Sequence, residues 1–287
     1  MAKPIIAIMY DFDKTLSTKD MQNYGFIPNL GLTPQEFWGE TEEVCNKHNM
    51  DKILGYMYVM VSKCKEKGIK LTKEYLKSLG KGVELFKGVE TWFDRINRYA
   101  EALGLRIEHY IISSGTKEII EGTTIAKEFK RIYGCEFMYN EDKVAIWPKI
   151  SVNYTNKTQY VYRISKGALE ESEEEKLNSA TTEENRRVAY ENMIYIGDGM
   201  TDIPCMKVVK SRGGKAIAIY QPGQKEKVQN LVRDNRINYV CPGDYRENSR
   251  VEKIVKLILD HMAATHKVKV TEEKIINEYK SSMKDNN

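Results

Sequence analysis

The chain has 287 residues, 41% hydrophobic and 30% charged, with a formal net charge of +4. That length suffices for a large core and more than one domain, and so small a charge gives no case for nucleic acid, which needs Lys and Arg clustered on one face. The five scattered cysteines lack metal-binding spacing such as C-x-x-C and predict reduced thiols. No apolar run has the length of a transmembrane helix and the N-terminal run is too short for a signal peptide, so a cytoplasmic location without a membrane partner is expected by elimination.

In chain order, residues 4–11 predict a buried strand that ends in two aspartates, Asp11 and Asp13. From Thr33 to about Gly82 the pattern is helical. Thr33-Pro34-Gln35-Glu36 reads as an N-cap, a proline at the first helical position and an acid two residues on, and Thr72 caps a later helix. This block predicts a helical domain inserted after the first strand. Val89 to Ala102 is helical, ending near Gly104, and Ile107 to Ile112 is a second apolar strand closed by Ser113-Ser114-Gly115. A helix is expected over 117–131, short strands or a hairpin over 135–155, and a helix over Tyr160 to Glu170. The polar segment 170–187 reads as a solvated helix extension or loop. Strands follow at Met193 to Ile196, Lys215 to Ile219 and Asn238 to Cys241, and a helix at 249–263 closes the core.

Strands that alternate with helices predict an α/β fold, with a Rossmann-like doubly wound parallel sheet as core and an inserted α-helical cap. The expected division is 1–16 and 86–265 for the core, 17–85 for the cap, and 266–287 for a C-terminal tail or helix. In a parallel sheet the three polar strand ends converge on one edge: Asp11 with Asp13, Ser113 with Ser114, and Asp198 with Asp202. Two carboxylates at the end of a buried strand are costly unless a cation lies near them. Carboxylates from two strands plus small hydroxyls make a hard-oxygen site suited to Mg2+. A lysine is expected to balance a bound phosphate, and Lys157 and Lys166 are both available.

These residues match a family. Asp11-Phe12-Asp13-Lys14-Thr15-Leu16 resembles the D-x-D-x-T-L signature of haloacid dehalogenase-like phosphatases. Ile111-Ile112-Ser113-Ser114-Gly115 resembles their second motif, and Gly197-Asp198-Gly199-Met200-Thr201-Asp202 their G-D-G-x-x-D fourth motif. The order is right, each motif follows an apolar strand, and the helical block sits where phosphoserine-phosphatase-like members carry a cap. The resemblance covers roughly residues 4–245.

The resemblance implies a Mg2+-dependent phosphomonoesterase acting on a small phosphorylated metabolite. Asp11 would be the nucleophile, forming an aspartyl-phosphate, and Asp13 the acid and base. Asp11, Asp13 through its main-chain carbonyl, and Asp198 would hold the metal, with Asp202 beside it. Ser113, Ser114 and a lysine would hold the phosphoryl oxygens. Lys157 fits that lysine if the helix before the fourth motif starts at Thr158; Lys166 is the alternative. Phosphotransfer through the same intermediate, or phosphate-ligand binding without turnover, are the rival functions.

The cap is expected to choose the substrate. Asp20 stands where phosphoserine phosphatases carry a Glu that meets the substrate amine. Their cap arginine has no counterpart here, since no arginine lies between Asp13 and Arg95, and lysine lacks the bidentate fork. The cap is instead rich in aromatic residues, which could favour an apolar, aromatic or quaternary-amine leaving group. Phe37, Tyr56 and Tyr58 read as cap core, and Tyr24 and Phe26 as the pocket candidates.

Overall fold

The computed structural model describes residues 3–284. Its centre is a seven-stranded sheet: β1 (Ile5–Tyr10), β2 (Arg106–Thr116), β3 (Phe129–Tyr139), β4 (Ala145–Ile150), β5 (Met193–Gly197), β6 (Lys215–Tyr220) and β7 (Tyr239–Pro242). The order across the sheet is β4-β3-β2-β1-β5-β6-β7. All neighbours are parallel except the β3–β4 hairpin. β1, β5 and β6 are almost wholly apolar and buried, as expected of strands covered on both faces.

Eleven α-helices are described: α1 (Phe26–Asn29), α2 (Pro34–His48), α3 (Lys52–Glu66), α4 (Lys73–Leu79), α5 (Val89–Ala102), α6 (Lys117–Glu121), α7 (Lys157–Lys166), α8 (Glu174–Asn178), α9 (Ile203–Ser211), α10 (Gln229–Arg233) and α11 (Arg250–Lys284). Strand alternation directs them to the two faces. Tyr10 accepts a hydrogen bond from Trp92 Nε1 of α5 at 2.9 Å. Tyr195 pairs with Met9 and so faces the other way, where it donates to Asp202 ahead of α9 at 2.8 Å. α11 is tied to α5 by Arg95–Glu252 at 2.8 Å and Tyr99–Asp260 at 2.7 Å.

Helices α1–α4 lie in sequence between β1 and α5 and bury Phe26, Ile27, Phe37, Met57, Met60 and Leu76 among themselves and against the sheet domain. The capping box at Thr33 forms: its hydroxyl accepts from Glu36 N, and the Glu36 carboxylate accepts from Thr33 N at 2.7 Å. The two crossings between helices and sheet run side by side, with Phe86 N donating to Leu16 O at 2.8 Å and Thr18 N to Glu84 O at 2.9 Å. A second seam joins α4 to α6 through two glycines. A Cβ at Gly122 would overlap the Lys77 carbonyl, and one at Gly80 the Ile119 carbonyl.

Three expectations need correction. The helix expected over 117–131 stops at Glu121, and Phe129–Tyr139 is β3. The Lys117–Glu121 pattern is helical, but Gly122-Thr123-Thr124 breaks it, and the segment after it pairs with β2. Ser113-Ser114-Gly115 lies inside β2, which runs through a register shift to Thr116. The last helix does not end at 263. It continues to Lys284 with mostly exposed residues, carried by strong helix formers and the Lys274–Glu278 pair at 3.8 Å. No described helix is long and apolar enough to cross a membrane. All five cysteines are buried and unpaired.

Candidate active site

The register fixes where the acids fall. Tyr10 pairs with Ile111 on β2 and with Ile196 on β5. Asp11 comes one residue later and donates its main-chain N–H to Ile196 O at 2.9 Å. Ser113 and Asp198 each come two residues after those partners, so all three reach the carboxyl edge at one level. β1 is the strand from which the chain departs to both sides of the sheet, the position where open α/β sheets form their crevice.

After Phe12 the chain turns sharply. Lys14 takes a left-handed conformation (φ 59°), and the N–H groups of Leu16 and Ser17 fold back onto Phe12 O at 2.9 and 3.1 Å. A side chain other than glycine rarely adopts this conformation without a surrounding structure that imposes it. The turn carries Asp13 over the edge, where its Oδ1 accepts from Met21 N at 2.8 Å. Gly115 lets β2 come close: a Cβ there would lie 3.0 Å from Asp13 Oδ2 and 2.9 Å from Met21 Sδ.

Carboxylate oxygens of Asp11, Asp198 and Asp202 lie within 4.8 Å of one another. Lys157 is fully buried and bridges two of them, 2.7 Å from Asp11 Oδ1 and 2.9 Å from Asp202 Oδ1. Asp202 also accepts from Tyr195 and, at 3.4 Å, from Gly199 N. Both of its oxygens are thus occupied, whereas Asp11 keeps Oδ2 open and Asp198 has no hydrogen-bond partner among the described residues. Lys157 gets there because Asn153 and Asn156 fold the turn before α7: Asn153 Oδ1 accepts from Asn156 N, and Asn156 Oδ1 from Asn153 N. Lys166 goes elsewhere, donating to Leu177 O and Ser179 O at 2.6 and 2.7 Å.

The electrostatics follow from burial. Burial pushes Asp11 up to about 6, against the pull of Lys157. It also raises Asp13, helped by Asp20 and Asp11, and Asp198, helped by Asp11 and Asp202. Burial alone would lower Lys157, but Asp11 and Asp202 outweigh it and hold the ammonium above the ordinary lysine value. One ammonium among three crowded carboxylates leaves negative charge uncompensated. A hard divalent cation fits that deficit and the oxygen-only donor set.

The other expected residues divide. Ser113 is buried, and its Oγ accepts from Gly115 N at 2.9 Å. Ser114 Oγ is buried without a hydrogen-bond partner, while the Ser114 carbonyl accepts from Tyr56 OH at 2.8 Å. Asp20 pairs with Lys14 at 2.7 Å beside Asp13. Tyr24 hydrogen-bonds Thr18 at 2.8 Å and the Glu84 carbonyl at 3.2 Å at the crossing. Phe26 is fully buried edge-on against Phe37.

A cavity of about 310 Å3 opens from Asp13 and Gly115 toward the helical block, and neither Tyr24 nor Phe26 lines it. Trp38, Tyr56 and Gln22 also line it, and Tyr58, expected in the core, is 53% exposed. Sequence reasoning missed Tyr195 and Gln22. A lone Tyr in a strand and a lone Gln in a turn carry no signal until the chain packs.

A family model for haloacid dehalogenase-like hydrolases matches residues 8–207. The chain belongs to this family. Among relatives, an uncharacterized protein of Borreliella burgdorferi is 26% identical over 274 residues, spanning 86% of this chain and 94% of that protein. A haloacid dehalogenase family hydrolase of Salmonella enterica serovar Typhi superposes with a TM-score of 0.57 at 17% identity, over 90% of this chain and 72% of the other. A substrate-bound phosphoserine phosphatase superposes at 0.56 with 14% identity, over 89% and 99%. At such identities the likeness is one of fold, and this haloacid dehalogenase-like hydrolase shares the phosphoserine phosphatase architecture.

Proposed function

We propose that this hydrolase is a Mg2+-dependent phosphomonoesterase that works through an aspartyl-phosphate. The observation that carries this reading is the Asp11–Lys157–Asp202 arrangement beside Asp198, at the strand edge of a haloacid dehalogenase-like fold. Asp11 and Asp198, with the Asp13 main-chain carbonyl, would hold Mg2+, which when bound draws charge from the phosphoryl oxygens.

Each residue then has a task. Asp11 attacks phosphorus through its open oxygen; the P–O bond to the alcohol breaks and an acyl phosphate remains. Asp13 gives its proton to the departing alkoxide, then takes one from the water that attacks the acyl phosphate, and phosphate leaves with Asp11 restored. Its raised pKa suits the first step, because the acid must be protonated when the substrate arrives. Ser113 keeps its hydroxyl proton free for a phosphoryl oxygen, and the N–H groups beyond Asp11 can do the same. Lys157 fixes the Asp11 carboxylate and adds positive charge for the phosphoryl group; Asp202 and Tyr195 position Lys157.

The test is phosphate release from p-nitrophenyl phosphate. Wild-type protein with Mg2+ should turn over; Asp11→Asn, or wild type with excess chelator, should not. Activity retained by Asp11→Asn overturns the mechanism.

A further inference from the structure

The last helix outruns the body it packs on. As far as Met262, α11 buries Val251, Val255, Ile258 and Leu259 in the core. It then crosses the amino edge of the sheet, where His266, Lys267 and Lys269 line clefts shared with Pro4 ahead of β1, Asn192 ahead of β5 and Lys215 at the start of β6. Every side chain described from Thr271 to Met283 is exposed. A helix with nothing beside it is marginal in water, and apolar residues on it bury nothing there.

This stretch nevertheless carries an apolar face. Val268, Ile275, Ile276, Tyr279 and Met283 are between 47% and 67% exposed. Together with Glu272 they fall within an arc of about 100° around the helix. That arc is turned roughly a third of a turn from the face that Val255, Leu259 and Met262 bury upstream, so it is not an overrun of the core stripe.

The order of the face says what covers it. From Val268 through Glu272, Ile275, Ile276 and Tyr279 to Met283 the steps are 4, 3, 1, 3 and 4 residues, the same from either end. A two-fold contact needs such an order, because whatever a residue meets on the second copy must meet that residue in return. Laid antiparallel about the point between Ile275 and Ile276, Val268 of one copy falls opposite Met283 of the other, Glu272 opposite Tyr279, and Ile275 opposite Ile276. A parallel pair in register would set Glu272 against Glu272 inside the apolar seam, like charge on like charge. In the antiparallel pair Glu272 faces a phenol instead.

The charges beside the face agree. Glu273 and Lys280 lie along one flank, Lys274 and Glu278 along the other. Antiparallel helices bring equivalent flanks together. Glu273 then stands two residues from level with Lys280 of the other copy, and Lys274 one residue from level with Glu278. Both contacts join opposite signs, and symmetry makes each of them twice.

We propose that residues 268–283 of α11 pair antiparallel with the same stretch of a second copy, so that the protein is a dimer. The contact spans about four turns, which is short for a permanent assembly, and the dimer should dissociate at concentrations on the order of micromolar. Since α11 leaves the body at the amino edge, the pairing lies away from Asp11 and Asp198 on the carboxyl edge.

The test is sedimentation equilibrium of the full chain from about 1 to 100 μM, the range set by that affinity. Wild type should pass from monomer to dimer. The double variant Ile275→Glu, Ile276→Glu should stay monomeric, with the urea midpoint that wild type shows when dilute. Glu273→Lys and Lys280→Glu should each raise the dimer dissociation constant about fivefold or more, and both together in one chain should restore it. All five native cysteines are buried, so introduced thiols report direction. Val268→Cys protein mixed with Met283→Cys protein should form a disulfide between chains far faster than Val268→Cys protein alone, whose two thiols would lie about 22 Å apart. A wild type that stays monomeric throughout, including one that instead sediments with phosphatidylglycerol vesicles, overturns the proposal. A dimer that survives the two glutamates, a charge swap that restores nothing, or a Val268→Cys protein that links to itself as fast as the mixture overturns it as well.

Discussion

The strand edge and the cavity wall above it are built in opposite ways. At the edge, polar groups are bonded to each other: Lys157 joins Asp11 to Asp202, and Tyr195 and Gly199 N hold Asp202. Toward α2 and α3, the Gln22 side chain has no hydrogen-bond partner among the described residues, Asp20 gives one oxygen to Lys14, and the rings of Trp38 and Tyr56 are anchored at their polar ends. The edge holds its geometry before any ligand arrives, as a site needs when charge develops in the transition state. The wall leaves its polar capacity for a ligand. On the proposed reading, chemistry belongs to the sheet and selectivity to the insert, and the predictions below perturb one without the other.

The largest expected effect is at the edge. Lys157→Met removes the ammonium bonded to Asp11 and should lower kcat roughly a thousandfold, the scale of losing a preorganised charge partner. Lys166→Met is the control. It loses bonds to two carbonyls at the end of α8 and should leave kcat close to wild type while lowering the urea midpoint. A large kcat loss in Lys166→Met with none in Lys157→Met would reverse the assignment.

Next is the seam that sets the insert over the edge. Gly122→Ala places a Cβ into the Lys77 carbonyl, main chain that cannot swing aside. The variant should lose about 3 kcal/mol in urea unfolding. If it loses less than about 1 kcal/mol, α4 is not seated on α6 as described.

How much of this was legible in the sequence depends on how local each cause is. The strand ends were readable because a run of apolar residues followed by paired acids needs no partner to be recognised. The Thr33 capping box was readable because it closes within four residues. The choice between Lys157 and Lys166 was not, because it turns on where α7 begins, and Asn153 and Asn156 set that through mutual turn bonds. The hairpin expected over 135–155 forms from the end of β3 and β4, but the start of β3 was not legible, because the helical pattern of Lys117–Glu121 precedes residues whose strand state comes from pairing with β2. Tyr24 and Phe26 stood near the first motif in sequence, yet Phe26 turns into the packing around Phe37. Gln22 was invisible, since its burial exists only once the insert closes on the sheet.

The most gradual effect, small at each pH step, concerns acid and belongs to the sheet side alone. His109 lies buried on β2 between Tyr10 and Asn97, both at 3.0 Å. Trp92 can only donate, so Tyr10 oxygen accepts from it and the Tyr10 proton goes to His109 Nδ1, leaving Nε2–H for Asn97 Oδ1. That chain requires a neutral ring, and burial lowers the His109 pKa from 6.5 to about 3. Below pH 6.5 the unfolded chain takes up a proton that the folded one refuses, so stability falls with pH until about 3, by at most about 1.4 kcal/mol per pH unit. His109→Gln costs stability at pH 8 but removes this slope. The difference in unfolding free energy between wild type and variant, measured by urea from pH 8 to pH 4, should therefore shrink as pH falls. Asp11, held near 6 by burial, contributes in the opposite direction in both proteins and cancels in the difference. A difference that stays constant across that range would mean the ring is charged or solvated in the folded protein, and the packed polar chain beneath β1 would have to be redrawn.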